Sequence, residues 1–267
     1  MRSRLPSSPV LLWVTVVLVV LLVLGIARSR GDADSIVRGA DQDLPGPVLL
    51  VPGYGGGTGA LEVLAGKLRA SGRSATVVAL PGDGTGDLRD AARVLDAAVA
   101  AELSAGAPSV DIVGYSAGGV TARYWVRQFG GASKARRVVT LGSPHHGTRV
   151  AALGARFAAG ACPVACQQLV PDSDLLDELN DGDETPAGPQ WLSVWTDQDE
   201  TVTPAESARL QGAVDVVLQR VCPGLAVSHA DLPRAPLVTG IVLQALAATP
   251  IPTPRSADCA FLLEQGS

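Results

Sequence analysis

One serine of this 267-residue chain lies in a pattern that would make it a nucleophile. Ser116 is the centre of the sequence GYSAG at positions 114–118, directly after the apolar run Val110–Val113. Glycines two residues before and after a serine permit the sharp strand-to-helix turn that exposes such a hydroxyl. The pattern alone is weak in a chain with 30 glycines, but the strand before it and the helical sequence after it are the required context.

A serine hydroxyl needs a general base, and the chain contains only three histidines. His145 and His146 lie in the sequence LGSPHHGT, and His229 lies further on in SHADLPR. In hydrolases built on a strand-to-helix elbow the triad residues follow the order serine, acid, histidine. This order selects His229 as the base, and His145 and His146 are expected to support or line the site, with either as the alternative base.

The acid that orients the histidine should follow a late strand of the sheet. The sequence WTDQDETVTP offers Asp197, Asp199 and Glu200 directly after an apolar run. We select Asp199 and keep Asp197 as the alternative. A solvated acidic turn is the competing interpretation of this segment, but the segment lies between Ser116 and His229, where the acid is needed.

Two backbone N–H groups are expected to bind the oxyanion that forms on a substrate carbonyl. One belongs to Ala117, the residue after the nucleophile, and the other to the loop Val51–Gly59. Pro52 has no N–H, so Tyr54 is the expected donor in that loop. The same glycine-rich loop does not complete either nucleotide-binding pattern, because it lacks both the P-loop lysine and the acid that follows a Rossmann second strand.

The elements that must position these residues follow an alternating pattern. Helical sequence at 58–71 and 87–105 separates short apolar runs, and further helical sequence begins at Pro236. The apolar runs are Val48–Val51, Ala75–Leu80, Val110–Val113, Arg137–Leu141 and Trp191–Trp195. This alternation predicts an α/β fold with a mostly parallel central sheet flanked by helices.

The domain boundaries follow from breaks in this alternation. Residues 31–46 contain few apolar side chains and predict a linker, so the α/β domain is expected over 47–267. Residues 147–189 form a long insertion, which suggests a small cap over a site. An ordinary surface excursion is the alternative interpretation of this insertion.

The first 30 residues differ from the rest of the chain. The run Val10–Ala27 contains no charge and is flanked by two arginines on each side. We favour a retained signal-anchor, because the run is longer than the apolar region of most signal peptides. A signal peptide cleaved after about Ala27 is the main alternative, and a buried core helix is a third. Either of the first two places the domain outside the cytoplasm, at the cell membrane or secreted.

The charge of the exported part excludes some partners. All four basic residues of the first 30 are arginines and no acid lies there, so residues 31–267 carry 17 basic and 26 acidic side chains. An acidic domain is a poor partner for nucleic acid or for an anionic membrane surface. Nothing in the sequence specifies an oligomeric state.

All four cysteines lie in the exported part, where disulfides are stable. Four cysteines allow three pairings. We expect Cys162 to pair with Cys166, stapling the insertion, and Cys222 to pair with Cys259. A zinc site is the alternative, although no histidine accompanies the cysteines at zinc-finger spacing.

Five segments, taken in order, resemble those of a known family. LLVPGYGGG, VDIVGYSAGG, LGSPHHGT, SVWTDQDETVTP and SHADLPR are similar to segments of the secreted bacterial lipases and esterases of class 2, within the α/β-hydrolase superfamily. The resemblance extends from about residue 46 to 250. It implies an α/β-hydrolase fold, the triad of Ser116, Asp199 and His229, and backbone donors at Tyr54 and Ala117. One departure is Pro52, because many such lipases have a histidine before the first glycine of this loop.

The expected function is hydrolysis of carboxylic esters, of small molecules or lipids, through an acyl-enzyme and without a metal or cofactor. Because the insertion is rich in small residues, short to medium acyl chains are expected. Acyl transfer to envelope lipids or sugars is the alternative reaction. A non-catalytic binding protein on the same fold, tethered to the membrane, is the alternative class.

Overall fold

The computed structural model describes residues 39–247 and 250–267. The apolar run at 10–27, predicted to be a signal-anchor or signal peptide, and much of the predicted linker lie outside the described residues. Within those residues, no helix has both the length and the apolar character needed to cross a bilayer.

Six strands form one sheet in the described part of the chain, in the spatial order β2-β1-β3-β4-β5-β6. Every neighbouring pair is parallel. The strands are β1 (Val48–Val51), β2 (Ala75–Val77), β3 (Val110–Tyr115), β4 (Ala135–Leu141), β5 (Gln190–Trp195) and β6 (Val214–Val217). The predicted α/β fold with a mostly parallel sheet is therefore confirmed.

β3, β4 and β5 differ from the predicted runs by one or two residues at one end, and two larger differences remain. β2 ends at Val77 rather than at Leu80, although the next N–H, of Val78, still bonds to the Leu50 carbonyl oxygen at 2.8 Å. β6 is present in the structure but was not predicted from the sequence. It has only four residues at the edge of the sheet, and its first two are half-exposed, so its sequence lacks the continuous apolar run that marks the buried strands.

Helices cover both faces of the sheet. They are α1 (Gly59–Ala70), α2 (Leu88–Ser104), α3 (Ala117–Gln128), α4 (Gly131–Lys134), α5 (Arg149–Phe157), α6 (Val164–Gln168), α7 (Asp174–Asn180), α8 (Leu218–Val221), α9 (Pro236–Ala247) and α10 (Cys259–Gly266). One core cluster joins α1, α9 and α10 to the sheet, and a second joins α2 and α3 to the opposite face. Val113 belongs to the first cluster and its neighbour Ile112 to the second, as the alternation of side chains along a strand requires.

The insertion at 147–189 folds largely into α5, α6 and α7. Leu175, Leu176 and Leu179 of α7 are buried in a third cluster with Val120 of the nucleophile helix α3. The insertion is thus packed on the element that follows Ser116. Its role as a cap stays a prediction.

The helix α5 packs its small residues and exposes its large ones. Ala151 is buried, and a Cβ on Gly154 would lie 3.4 Å from the Cys166 sulfur. Val150, Leu153 and Phe157 are exposed. The small residues of this insertion are visible in the sequence, but which of them is buried depends on contacts with other segments such as the one that contains Cys166.

Two disulfides are present, with the expected pairing. Cys162 is bonded to Cys166 across the start of α6. Cys222, which follows α8, is bonded to Cys259 at the start of α10. The second bridge closes a segment with a sequence separation of 37 that contains His229 and all of α9.

Candidate active site

Ser116 lies at the elbow between β3 and α3. Its backbone has φ 53° and ψ −126°, a left-handed conformation that a residue with a Cβ seldom adopts. The Ser116 N–H donates to the Leu141 carbonyl oxygen at 2.8 Å, which fixes the elbow to the neighbouring strand β4. The sequence prediction of a strand-to-helix turn at this position agrees with this geometry.

The glycines of the motif permit close backbone packing around the elbow. A Cβ on Gly114 would lie 2.5 Å from the Cα atom of Gly119. A Cβ on Gly118 would overlap the carbonyl oxygen of Val51 in β1. Any side chain at these positions would therefore push α3 away from the sheet.

The structure brings the three predicted triad residues together. The His229 Nε2 atom lies 3.0 Å from the Ser116 Oγ atom, and the His229 Nδ1 atom lies 2.7 Å from Asp199 Oδ2. All three residues are buried, with exposed fractions of 9% for Ser116, 6% for His229 and 8% for Asp199. A hydrogen-bonded chain thus runs from a hydroxyl through an imidazole to a buried carboxylate.

The carboxylate is itself held in place. Asp199 Oδ1 accepts hydrogen bonds from the backbone N–H groups of Thr201 at 2.9 Å and Val202 at 2.7 Å. Because an ionised carboxylate only accepts, the His229 Nδ1 atom carries the proton in this bond, and Nε2 presents its lone pair to the serine. Asp197 and Glu200 are exposed, and within the part of the chain that the structure describes the ion pair of His229 is with Asp199.

The other two histidines have different surroundings. His145 is completely buried, and its Nε2 atom lies 3.1 Å from Thr140 Oγ1. Burial, followed by the positive charge of Arg123, lowers the pKa of His145 well below its ordinary value. A hydrogen bond that His146 Nε2 donates to the Glu184 carboxylate raises the pKa of the exposed His146. Neither histidine is bonded to Ser116, which agrees with a supporting position for both.

Gly142 is a site residue that sequence reasoning missed. Its φ is 54°, and a Cβ there would lie 3.2 Å from His229 Nδ1 and 3.3 Å from Asp199 Oδ2. The absence of a side chain at Gly142 thus leaves room for the bond between these two residues. The available signal was a glycine at the carboxyl end of β4, since catalytic groups of parallel sheets gather at that edge.

The two predicted oxyanion donors, Tyr54 and Ala117, belong to segments that meet at the elbow. A Cβ on Gly53 would lie 2.9 Å from the Ser116 Cβ, so the loop after β1 passes directly beside the serine. Ala117 is the first residue of α3, where helix N–H groups have no intrahelical acceptor. Within the described residues, the N–H groups of Tyr54 and Ala117 donate to no acceptor, whereas that of Gly55 donates to Gly84.

A cleft of about 290 Å³ adjoins this region. Pro52, Gly53 and Ala117 form one wall, and the segment from Leu80 to Ala91 supplies the rest. Leu80, Leu88 and Ala91 give the cleft apolar surface. Three carboxylates also line it, those of Asp83, Asp87 and Asp90. A hydrogen bond from the Thr85 hydroxyl lowers the pKa of Asp83, so this carboxylate is ionised at neutral pH. Among the described residues, no group of three or more His, Cys, Asp or Glu side chains could hold a metal ion.

Comparison with known families gives one match. The family model for lipase (class 2) matches residues 92–217. The matched region contains Ser116 and Asp199 and ends before His229. No curated protein sequence matches the chain.

Solved structures with a similar fold include two lipases and a third protein. Aspergillus fumigatus lipase B is 18% identical, with a TM-score of 0.64 over 83% of this chain and 61% of that one. The mature form of Bacillus licheniformis lipase BlEst2 is 18% identical, with a TM-score of 0.61 over 77% of this chain and 93% of that one. The product of the lin2722 gene of Listeria innocua is 16% identical, with a TM-score of 0.51 over 72% of this chain and 90% of that one.

At these identities the structural similarity establishes the fold, and this chain spans only 61% of the length of the Aspergillus lipase. The family match and the shared fold agree with the resemblance inferred from the five sequence segments. The chain therefore resembles the class 2 lipases over residues 92–217, and it has the fold of the α/β-hydrolases.

Proposed function

We propose that the protein hydrolyses carboxylic esters through a covalent acyl-enzyme on Ser116. The observation that carries this proposal is the hydrogen-bonded chain from Ser116 through His229 to Asp199, at 3.0 Å and 2.7 Å. A serine, a neutral imidazole and a buried carboxylate in this order can generate a nucleophile at neutral pH. The class 2 lipase match gives independent support for chemistry on esters.

In the first half-reaction, His229 Nε2 takes the proton from the Ser116 hydroxyl as Oγ attacks the ester carbonyl carbon. The carbonyl oxygen becomes an oxyanion, which the N–H groups of Tyr54 and Ala117 stabilise. His229 then gives its proton to the oxygen of the leaving alcohol as the C–O bond breaks. The acyl group remains on Ser116.

In the second half-reaction, water replaces the alcohol. His229 takes a proton from the water as its oxygen attacks the acyl carbon, and the same two N–H groups bind the new oxyanion. Collapse of this intermediate releases the carboxylic acid, and His229 returns its proton to Ser116 Oγ. Asp199 keeps the imidazole oriented and stabilises its protonated form in both steps.

The size of the cleft favours short to medium acyl chains. Its volume of about 290 Å³ lies near the lower limit of about 300 Å³ for pockets that enclose drug-sized ligands. Leu80 and Leu88 supply apolar surface for an acyl chain, and the exposed apolar residues of α5 support a role for lipid esters as well.

The two disulfides support a location outside the cytoplasm, because such bridges persist in oxidising compartments. We place the domain at the outer side of the cell membrane, held by the apolar run at 10–27 when that run is retained, or secreted when it is removed.

The test is hydrolysis of p-nitrophenyl esters from acetate to palmitate by the oxidised full chain. Ser116→Ala should lower turnover by about 10⁴-fold or more. Ser133→Ala is the matched control and should retain full turnover, since this serine is exposed and its hydroxyl donates to the nearby Gly130 carbonyl oxygen. A folded wild-type protein that is inactive on every ester contradicts the proposal. A new ester formed with an added acceptor alcohol would instead identify acyl transfer.

A further inference from the structure

Tyr115, the residue before the nucleophile, contacts the candidate base in two ways. Its ring centroid lies 5.2 Å from that of His229, with 34° between the ring planes. Its phenol O–H donates to the His229 backbone carbonyl oxygen at 3.2 Å. One side chain at the end of β3 thus contacts both the imidazole and the backbone of the residue that must act as base.

These contacts connect a rigid element to a less regular one. Tyr115 is paired with Leu141 in the centre of the sheet, whereas His229 begins a short 3₁₀ helix, His229–Arg234, after a loop. The two residues are 114 positions apart in sequence. The strand that leads into Ser116 therefore contacts the candidate base directly, independently of the bond between Ser116 and His229.

The phenol can serve as a donor throughout the range in which the site would work. Burial, followed by the negative charge of Asp199, raises the pKa of Tyr115 to about 12. The hydroxyl therefore keeps its proton at neutral and moderately alkaline pH. Arg234 and Asp231 also act on the phenol, in opposite directions, and leave it neutral.

The ring contact matters most when the imidazole is charged. His229 becomes an imidazolium each time it accepts a proton from serine or water. An aromatic ring within about 6 Å stabilises a cation through the negative charge of its π face. The Tyr115 and His229 ring centres are 5.2 Å apart, within this distance, with 34° between the ring planes, and the buried surroundings of His229 reduce the competition from water.

We propose that Tyr115 is a positioning residue for the base, whose hydroxyl fixes the backbone of His229 and whose ring supports the imidazolium formed in both half-reactions. This inference rests on the proposed ester hydrolysis and adds a fourth side chain to the three that the sequence motifs identify.

Two substitutions separate the contributions of the hydroxyl and the ring. Tyr115→Phe removes only the hydrogen bond and should lower kcat by about 10-fold with little change in KM, because small displacements of a catalytic base reduce rate rather than binding. Tyr115→Leu removes both contacts and should lower kcat by about 100-fold. The ratio of kcat between Tyr115→Phe and Tyr115→Leu then measures the contribution of the ring. Tyr124→Phe, in the nearby helix α3, is the matched control and should leave kcat unchanged.

The NMR signal of the proton in the bond between His229 Nδ1 and Asp199 is a measurement that a change in stability alone does not alter. In the wild type this proton should give a low-field NMR signal, and in both Tyr115 variants the signal should broaden because the imidazole is less fixed. Rapid-mixing kinetics should show acylation and deacylation slowed by the same factor, since His229 acts in both steps.

The inference is wrong if both folded variants keep wild-type kcat and the same low-field signal. It is also wrong if only KM rises, or if activity falls only above the thermal unfolding temperature of a destabilised variant. Should Tyr115→Leu fail to fold, Tyr115→Phe, which loses one oxygen atom, decides the question. Failure of the proposed function gives a different result, because the wild type would then hydrolyse no ester, or Ser116→Ala would keep full turnover. The NMR signal is measured without any substrate and still tests the role of Tyr115.

Discussion

Asp199 contacts His229 through one carboxylate oxygen while its other oxygen is bound by two backbone N–H groups. The distances are 2.7 Å to His229 Nδ1 and 2.9 Å and 2.7 Å to the N–H groups of Thr201 and Val202. The carboxylate therefore cannot rotate without breaking backbone bonds. Its geometry is set before any substrate arrives, which is what electrostatic support of an imidazolium requires.

Replacement of this carboxylate should remove catalysis while the fold is retained. Asp199→Asn should lower kcat by about 10⁴-fold, because an amide in this position favours the wrong tautomer of His229. Asp197→Asn, two residues earlier and exposed, should keep wild-type kcat. The measurement is steady-state ester hydrolysis by both variants, with circular dichroism to confirm folding. Equal losses in the two variants would argue against Asp199 as the triad acid.

A methyl group at Gly142 should disturb the same bond. Gly142→Ala places a Cβ 3.2 Å from His229 Nδ1 and 2.5 Å from Leu232 Cδ1, at a φ of 54°. We expect kcat to fall about 10-fold or more and the free energy of unfolding to fall by about 1–3 kcal/mol.

The control for this substitution is Gly66→Ala in the helix α1. A Cβ on Gly66 would meet no atom within 4 Å, so this change should raise the free energy of unfolding by about 0.5–1 kcal/mol and leave kcat unchanged. Urea unfolding and ester turnover of both variants provide the comparison. Wild-type turnover in Gly142→Ala would show that the triad tolerates the added methyl.

The two non-triad histidines should affect the pH dependence of stability in opposite directions. The pKa of His145 is lowered by burial, so below about pH 6.5 the unfolded chain binds a proton that the folded chain does not. Its contribution is therefore full above that pH and is lost as the pH falls, by at most about 1.4 kcal/mol per pH unit. The pKa of His146 is raised by the Glu184 hydrogen bond, so its contribution is present at low pH and lost as the pH rises.

These signs can be measured from urea unfolding at pH 7.5 and 5.5. His145→Gln should reduce the loss of stability between the two pH values, and His146→Gln should increase it. Comparing the same protein at two pH values removes the pH-independent effect of each substitution. A larger acid loss in His145→Gln than in the wild type would contradict a neutral buried histidine.

The two disulfides should contribute unequally to stability. In the chain-entropy description, the bridge from Cys222 to Cys259, with its separation of 37, stabilises by about 4 kcal/mol, whereas that from Cys162 to Cys166, with a separation of 4, stabilises by about 2 kcal/mol. Replacing each pair by serines and measuring urea unfolding tests the order. The longer bridge encloses His229, so its loss should also lower ester turnover near the unfolding midpoint. Equal effects of the two replacements would contradict this account.

Much of the site could be predicted because it depends on local patterns and on chain order. Ser116 was identified by the glycines around it, and His229 by its position after the acidic segment. The choice of Asp199 over Asp197 agrees with the contact between Asp199 and His229, while Asp197 faces solvent.

Other parts depend on contacts between distant segments, which a sequence pattern does not contain. In the sequence, Tyr115 occupies a position of the motif that any residue can fill. In the structure, its ring packs on His229, which is 114 positions away. The importance of Gly142 appears only when β4, Asp199 and His229 are in place. The edge strand β6 escaped prediction because half-exposed four-residue strands lack a distinctive period.

The close packing of Gly114 and Gly118 shows that the glycines of the motif are required by the fold, independently of any reaction at Ser116. These glycines are needed for α3 to lie against β1 and β3, whether or not a reaction takes place. A descendant of this chain that had lost its activity would be expected to keep both glycines while Ser116 and His229 changed freely. In searches of genomes for active relatives, the paired presence of the late acid and histidine is therefore more informative than the glycine pattern itself.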